Sequence, residues 1–100
     1  MLFLIISTPR PERPTTVIEA RSRHWVWLRP MLDSGMCRSI HARAGRGAVA
    51  LFDVDSNEAL HRVMNEWADI IPATFDVYPL INPDAAQAYL ASQTAAKEAQ

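Results

Sequence analysis

An arginine and a histidine stand where an apolar helix face should be. Between Val17 and Leu32 the chain reads VIEARSRHWVWLRPML. A step of about 100° per residue, the turn of an α-helix, puts Val17, Leu28, Met31 and Leu32 in one stripe. Arg21 and His24 fall near the middle of that stripe. Burying such groups without partners costs on the order of several kcal/mol, so the pattern predicts a stripe that faces a pocket. An unperturbed imidazole titrates near roughly 6.5, which suits a general base or acid at neutral pH. Arg21, one turn away, should lower that value and favour the neutral form. Arg21 itself suits bidentate capture of a carboxylate, or stabilisation of an enolate as charge develops on oxygen. The plain alternatives are an ion pair of Arg21 with Glu19 or Asp76 and an ordinary hydrogen-bonded helix histidine at His24.

Other residues could join this pair. Trp25 and Trp27 lie on opposite flanks of the stripe and would wall in whatever Arg21 and His24 face. Leu28 would add an apolar contact from the stripe itself. On the second strand, Cys37, Ser39, His41 and Arg43 share one face and Arg38, Ile40 and Ala42 the other, so His41 and Arg43 are candidates if their face lines the pocket. Tyr78 could donate a hydrogen bond to an oxyanion. Asp53 could orient a histidine or shape a helix start, and Cys37 reads as a small buried hydrophobe. Three histidines and one cysteine on different elements lack metal-ligand spacing. Neither a glycine-rich phosphate loop nor a nucleophile elbow is present. The expectation is a site without metal or cofactor.

Six elements position these residues. Met1–Ser7 is a continuous apolar run and reads as a central strand. Pro9, Pro11 and Pro14 delay the first helix, which Thr15 or Thr16 can cap. That helix runs to about Ser34, with Gly35 as its stop, and Pro30 should kink it or tighten it locally. Met36–Ala44 and Ala48–Val54 read as a hairpin around Gly45-Arg46-Gly47. Ser56 caps a second helix whose buried face is Leu60, Val63, Met64 and Trp67. Pro72 opens a fourth strand with Thr74, Asp76 and Tyr78 on a polar face. Asn82-Pro83 starts an alanine-rich tail, expected to be helical near Tyr89 and frayed at its end.

The order β-α-β-β-α-β plus a C-terminal helix predicts an α+β, ferredoxin-like fold: an antiparallel sheet with two helices on one face. Residues 1–82 form the expected domain and residues 83–100 a helical extension. Strands one and three are apolar on both faces, so the open face of the sheet needs a cover. A second copy of the chain is the economical one, giving a homodimer or larger homo-oligomer.

Composition narrows the function. One hundred residues make one domain, 49% of them hydrophobic and 21% charged. A net charge of -1 gives no electrostatic case for nucleic acid or an anionic membrane. Eight arginines still cluster in the first half, from Arg10 to Arg46, and arginine suits planar anions. The lone Cys37 gives no argument for an oxidising compartment, and the apolar start is too short for a membrane span. A cytoplasmic protein is expected.

The run Phe52-Asp53-Val54-Asp55-Ser56-Asn57-Glu58-Ala59-Leu60-His61 resembles the strand-to-helix junction of the muconolactone delta-isomerase family. The opening MLFLI and the pair Ser34-Gly35 are similar to that family as well, and with one deletion near Gly45 the resemblance covers roughly the first 80 positions. It implies a dimeric α+β barrel assembled into larger rings, without cofactor, that moves a double bond in an unsaturated, carboxylate-bearing lactone. The lysine and glutamate of the family's first helix fall at Arg21 and His24, and the arginine beside that glutamate is matched by Arg23. The family's Trp-Arg pair on strand two is His41-Ala42 here, with Arg43 next in line.

The leading expectation is therefore a cofactor-independent isomerase, or related cyclase, acting on an unsaturated lactone or enone with an anionic group. His24 would move the proton and Arg21 would hold the anion. Two rival expectations share the fold: a cofactor-free monooxygenase on an aromatic substrate, and a non-catalytic binding protein.

Overall fold

A computed structural model describes residues 1–99. Strand β1 (Leu2–Pro9) leads through a single 3-10 turn at Pro14–Val17 into helix α1 (Ile18–Ser34). Strands β2 (Cys37–Ala42) and β3 (Ala48–Asp53) form a hairpin. Helix α2 (Asn57–Ile70), strand β4 (Ala73–Leu80) and helix α3 (Pro83–Glu98) complete the chain. The sheet order is β2-β3-β1-β4 with every neighbour antiparallel. This is the expected α+β fold, and β1 is central because both of its faces are apolar.

The two-residue period of the strands sorts their side chains. Phe3, Ile5 and Ser7 of β1 and Ala50 and Phe52 of β3 turn toward the helices and are buried. Against them pack Leu28 of α1 and Leu60, Val63 and Trp67 of α2. Trp67 and Phe52 are the largest side chains shut off from solvent. The opposite face carries Leu4, Ile6, Val49 and Leu51, half-buried, and Tyr78, exposed.

Local signals explain most boundaries. Ser56 Oγ accepts from the Ala59 amide at 3.1 Å and caps α2. Asn82 Oδ1 accepts from the Asp84 amide at 2.9 Å, with Pro83 in the first helical position of α3. Gly35 ends α1 at φ 83°, in the left-handed region that glycine enters without steric cost.

Two expectations need correction, the cap of α1 and the faces of β2. Neither Thr15 nor Thr16 caps α1; they lie inside the 3-10 turn, and no side chain caps the helix start. Helix α1 continues through Pro30, an exposed position. Helix α3 extends as far as Glu98, and its alanines favour helix even without packing. The face pattern of β2 is broken by a bulge: Cys37 pairs with Phe52, but Ser39 pairs with Leu51. The extra residue, Arg38, reverses the parity. Cys37, Ile40 and Ala42 therefore share the helix side, while Ser39 and His41 go to the open face.

Helix α3 stands apart. Every described residue in it is exposed, and the molecule measures 64 × 26 × 20 Å.

Candidate active site

The helix side of the sheet does not close at the end where β1 finishes and the β2–β3 turn begins. There a cavity of about 100 Å³ opens between α1, α2 and that turn. His24 reaches it from α1 and Trp67 from α2. Ile40 and Ala42 of β2 and Ser7 of β1 form part of its floor. Trp25, Arg21, Arg43 and Arg46 complete the wall and mouth.

Helix geometry sets the placement of the cation and the imidazole. Arg21 and His24 are one turn apart on α1, and both line the cavity. His24 is 5% exposed; Arg21 lies at the solvent edge. The imidazole is enclosed by indoles. Its ring centre is 4.8 Å from that of Trp67, 5.5 Å from Trp27 and 6.2 Å from Trp25, the last edge-on at 74°. His24 Nε2 is buried and has no hydrogen-bond partner. Burial in this apolar shell pushes the imidazole down to about 4, because the charged form loses its hydration. Desolvation by the surrounding rings causes the shift, in place of the expected influence of Arg21. At neutral pH the ring is uncharged.

The mouth is positive. Arg21, Arg43 and Arg46 come from two different segments, and no aspartate or glutamate stands among the lining residues. Arg43 is committed to the frame: its Nη1 donates to the Ser7 carbonyl oxygen and to Thr8 Oγ1, both at 3.0 Å. Among the described residues, Arg21 and Arg46 have neither an ion pair nor a side-chain hydrogen bond, so the expected pairing of Arg21 with Glu19 or Asp76 is not made. Two guanidinium groups without protein partners beside one cavity have the donor geometry that pairs with planar anions.

The turn that carries Arg46 is held close by glycine. Gly47 has φ 107°, and a Cβ there would overlap the Ser7 carbonyl oxygen. Ser7 closes the same corner: its Oγ accepts from the Ala48 amide at 2.9 Å. Arg43 N donates to the Gly47 carbonyl oxygen at 2.9 Å. The glycine thus lets the turn lie against β1 and aims the arginines on either side of Gly45 at the cavity.

The remaining candidates are placed elsewhere. Leu28 is fully buried in the core beneath His24, and Trp27 is half-buried there, backing the imidazole without lining the cavity. Arg23 is exposed on α1 away from the cavity. His41 and Tyr78 lie on the open face of the sheet, on the far side from the cavity. Asp53 accepts from Arg38 and from the amino terminus, which together hold it below the usual carboxylate range. It anchors the strand end and orients no histidine.

Arg46 and Trp67 were not foreseen as site residues. Trp67 was legible only as one position of a buried helix face. Arg46 carried a usable signal: a charged residue between two glycines must project from a tight turn, and that turn faces the start of α1. Among the described residues no cluster of three or more His, Cys, Asp and Glu side chains comes together as a metal site. No helix there is long and apolar enough to cross a membrane.

Comparison with solved structures supports the fold. The 5-chloro-2-hydroxyhydroquinone dehydrochlorinase TftG from Burkholderia phenoliruptrix AC1100, in complex with 2,5-dihydroxybenzoquinone, superposes with a TM-score of 0.67. It is 19% identical over 82% of this chain and 95% of that one. A muconolactone isomerase superposes with a TM-score of 0.65, at 23% identity over 82% of this chain and 90% of that one. Both neighbours are enzymes acting on small molecules, and at these identities the likeness is one of fold. No curated protein matches the sequence. Residues 1–94 match the family model described as "Domain of unknown function (DUF3303)", and the chain belongs to that family.

Proposed function

We propose that the protein is an enzyme that moves a proton within a small unsaturated ring compound bearing a carboxylate, without a cofactor. The observation that carries this reading is a neutral, enclosed imidazole with an unpartnered ring nitrogen, in the wall of a cavity whose mouth holds three arginines. The substrate ring lies between Trp25 and Trp67, and its carboxylate meets Arg21 and Arg46. His24 takes a proton from the carbon adjoining the far end of the conjugated double bond, the γ-carbon relative to the carbonyl. The electron pair of that C–H bond moves into the ring and onto the carbonyl oxygen as an enolate, which the arginines stabilise. The imidazolium then returns the proton to another carbon of the conjugated system. The double bond has shifted, nothing is oxidised and nothing is lost.

A base near 4 is weak toward carbon acids, but the arriving carboxylate and the forming enolate both favour imidazolium. The two solved neighbours lend a chemical parallel. One is named as a muconolactone isomerase and the other as a 5-chloro-2-hydroxyhydroquinone dehydrochlorinase.

The test is a panel of carboxylate-bearing butenolides and cyclic enones incubated with the protein in deuterium oxide and followed by proton NMR. Deuterium entry beside the carbonyl, without oxygen uptake and lost in His24→Ala, is the expected result. Oxygen consumption with aromatic substrates and no deuterium exchange would instead make the protein a cofactor-free monooxygenase. Tight binding of these acids with neither signal would make it a binding protein.

A further inference from the structure

The outer face of α1 is apolar where a solvent-facing helix should be polar. Val26 is 75% exposed and Trp25 49% exposed, and Pro30 is exposed beside them. Positions 25 and 29 belong to one row along the helix and positions 26 and 30 to the next, with a groove between the rows. That groove holds about 350 Å³ and is lined by Trp25, Val26, Arg29 and Pro30, almost wholly by apolar atoms. Trp25 also stands in the wall of the cavity, edge-on to His24. The cavity and the groove therefore meet at one indole.

We propose that the groove is a second binding surface of the same site, and that it takes an apolar side chain carried by the ring acid in the cavity. The inference rests on the reading of the cavity as a ring-carboxylate site. It narrows the ligand to ring acids that bear a short alkyl or aryl substituent. Three observations carry it. The cavity, at about 100 Å³, is smaller than the roughly 300–1,000 Å³ usual for a small-molecule site. An apolar cavity of about 150 Å³ is filled by benzene, so anything beyond one small ring has to leave through the mouth. The mouth is also divided by polarity. Arg21, Arg43 and Arg46 draw the carboxylate, whereas Trp25 offers a hydrocarbon chain a surface on which it leaves water. Arg21 and Trp25 are one turn apart on α1, so the groove begins where the cation ends. From Trp25 to Pro30 the helix rises about 7.5 Å, longer than a butyl chain. A protein partner fits worse, since a specific interface takes about 800 Å² from each side, and this groove spans a few residues of a single helix.

Isothermal titration of the full chain with benzoate and with 3-butylbenzoate tests it, beside a Val26→Ser, Pro30→Ser double variant. Both positions are exposed, so the fold tolerates the changes, and circular dichroism verifies the helix. A fully buried methylene is worth about fourfold in affinity and a half-buried one about twofold, so the butyl chain should tighten binding to the wild type by at least about tenfold. The double variant should bind benzoate within about twofold of the wild type and lose most of the butyl gain. Benzoate that fails to bind the wild type would overturn the reading of the cavity, and this inference with it. Benzoate binding without a butyl gain would overturn the groove alone, as would a butyl gain that survives in the double variant.

Discussion

The ring of His24 lies 4.8 Å from that of Trp67, the two inclined at 49°, and this contact joins α1 to α2 in the buried wall of the cavity. The pair packs as two core side chains would, yet one member carries a buried nitrogen with no partner. An unsatisfied polar atom in that setting costs about 1–3 kcal/mol. His24→Leu should therefore leave the fold intact and its stability at pH 7 unchanged or raised by up to about 2 kcal/mol. Proton transfer should fall by at least about a hundredfold. Chemical denaturation and the deuterium assay check the two halves. A loss of several kcal/mol would show that the imidazole serves the core.

The same burial gives stability a pH dependence of known sign. His24 titrates at about 4 in the folded chain and near roughly 6.5 when unfolded. Between those values the unfolded chain binds the extra proton, so stability is full above about 6.5 and declines as the pH falls toward 4. The loss is on the order of 3 kcal/mol. Carboxylates such as Asp53 add their own loss at lower pH, so the comparison is with His24→Leu. Wild type minus variant should show a slope confined to that window. Parallel curves would mean that the imidazole pays no burial penalty in the fold, and a slope of opposite sign would mean that it is charged and paired there.

How much of this was legible beforehand follows from the physics of each signal. The element order was readable because strand and helix periods differ and because Ser56, Asn82 and Gly35 announce their ends. The pairing of Arg21 with His24 was readable because both break an apolar stripe. Arg38 was not readable as a bulge, since a bulge inserts a residue without changing composition, and it moved Ile40 and Ala42 to the cavity side. Arg43 was readable as a candidate for a reason the bulge removed; it lines the cavity because the chain leaves β2 before reaching it. Trp67 and Arg46 come from distant segments, and only the β1–β3 register brings their elements beside α1.

The three arginines should separate under substitution. Arg21 is exposed at the mouth and free of protein partners, and Arg46 is half-buried there and equally free. Arg21→Ala and Arg46→Ala should each weaken binding of benzoate, a planar carboxylate probe, by about 1.5–3 kcal/mol, or roughly 10- to 150-fold. Stability should move by less than about 0.5 kcal/mol. Arg43→Ala should behave differently, because it strips donors from the Ser7 carbonyl and Thr8 Oγ1. A stability loss of about 1–2 kcal/mol is expected together with weaker binding. Tryptophan fluorescence titration and urea denaturation read both quantities. Equal effects of all three on stability would remove the distinction between free and structural arginines.

Gly47 and Gly45 provide an internal control for the shape of the mouth. Both have positive φ, 107° and 94°, so alanine at either pays the backbone cost of about 1 kcal/mol or somewhat more. Space around them differs: a Cβ at Gly45 meets nothing within 4 Å, whereas one at Gly47 meets the Ser7 carbonyl oxygen, the Arg43 side chain and Pro9. Gly47→Ala must push the β2–β3 turn away from β1. That shift loosens the Arg43 bond to Ser7 and carries Arg46 with it. The expected result is a loss of about 2–4 kcal/mol for Gly47→Ala against about 1 for Gly45→Ala. Benzoate affinity should drop at least about tenfold in the first variant only. If the two alanines cost the same and bind the probe alike, the turn is not held against β1 and the arginine mouth does not depend on that close approach.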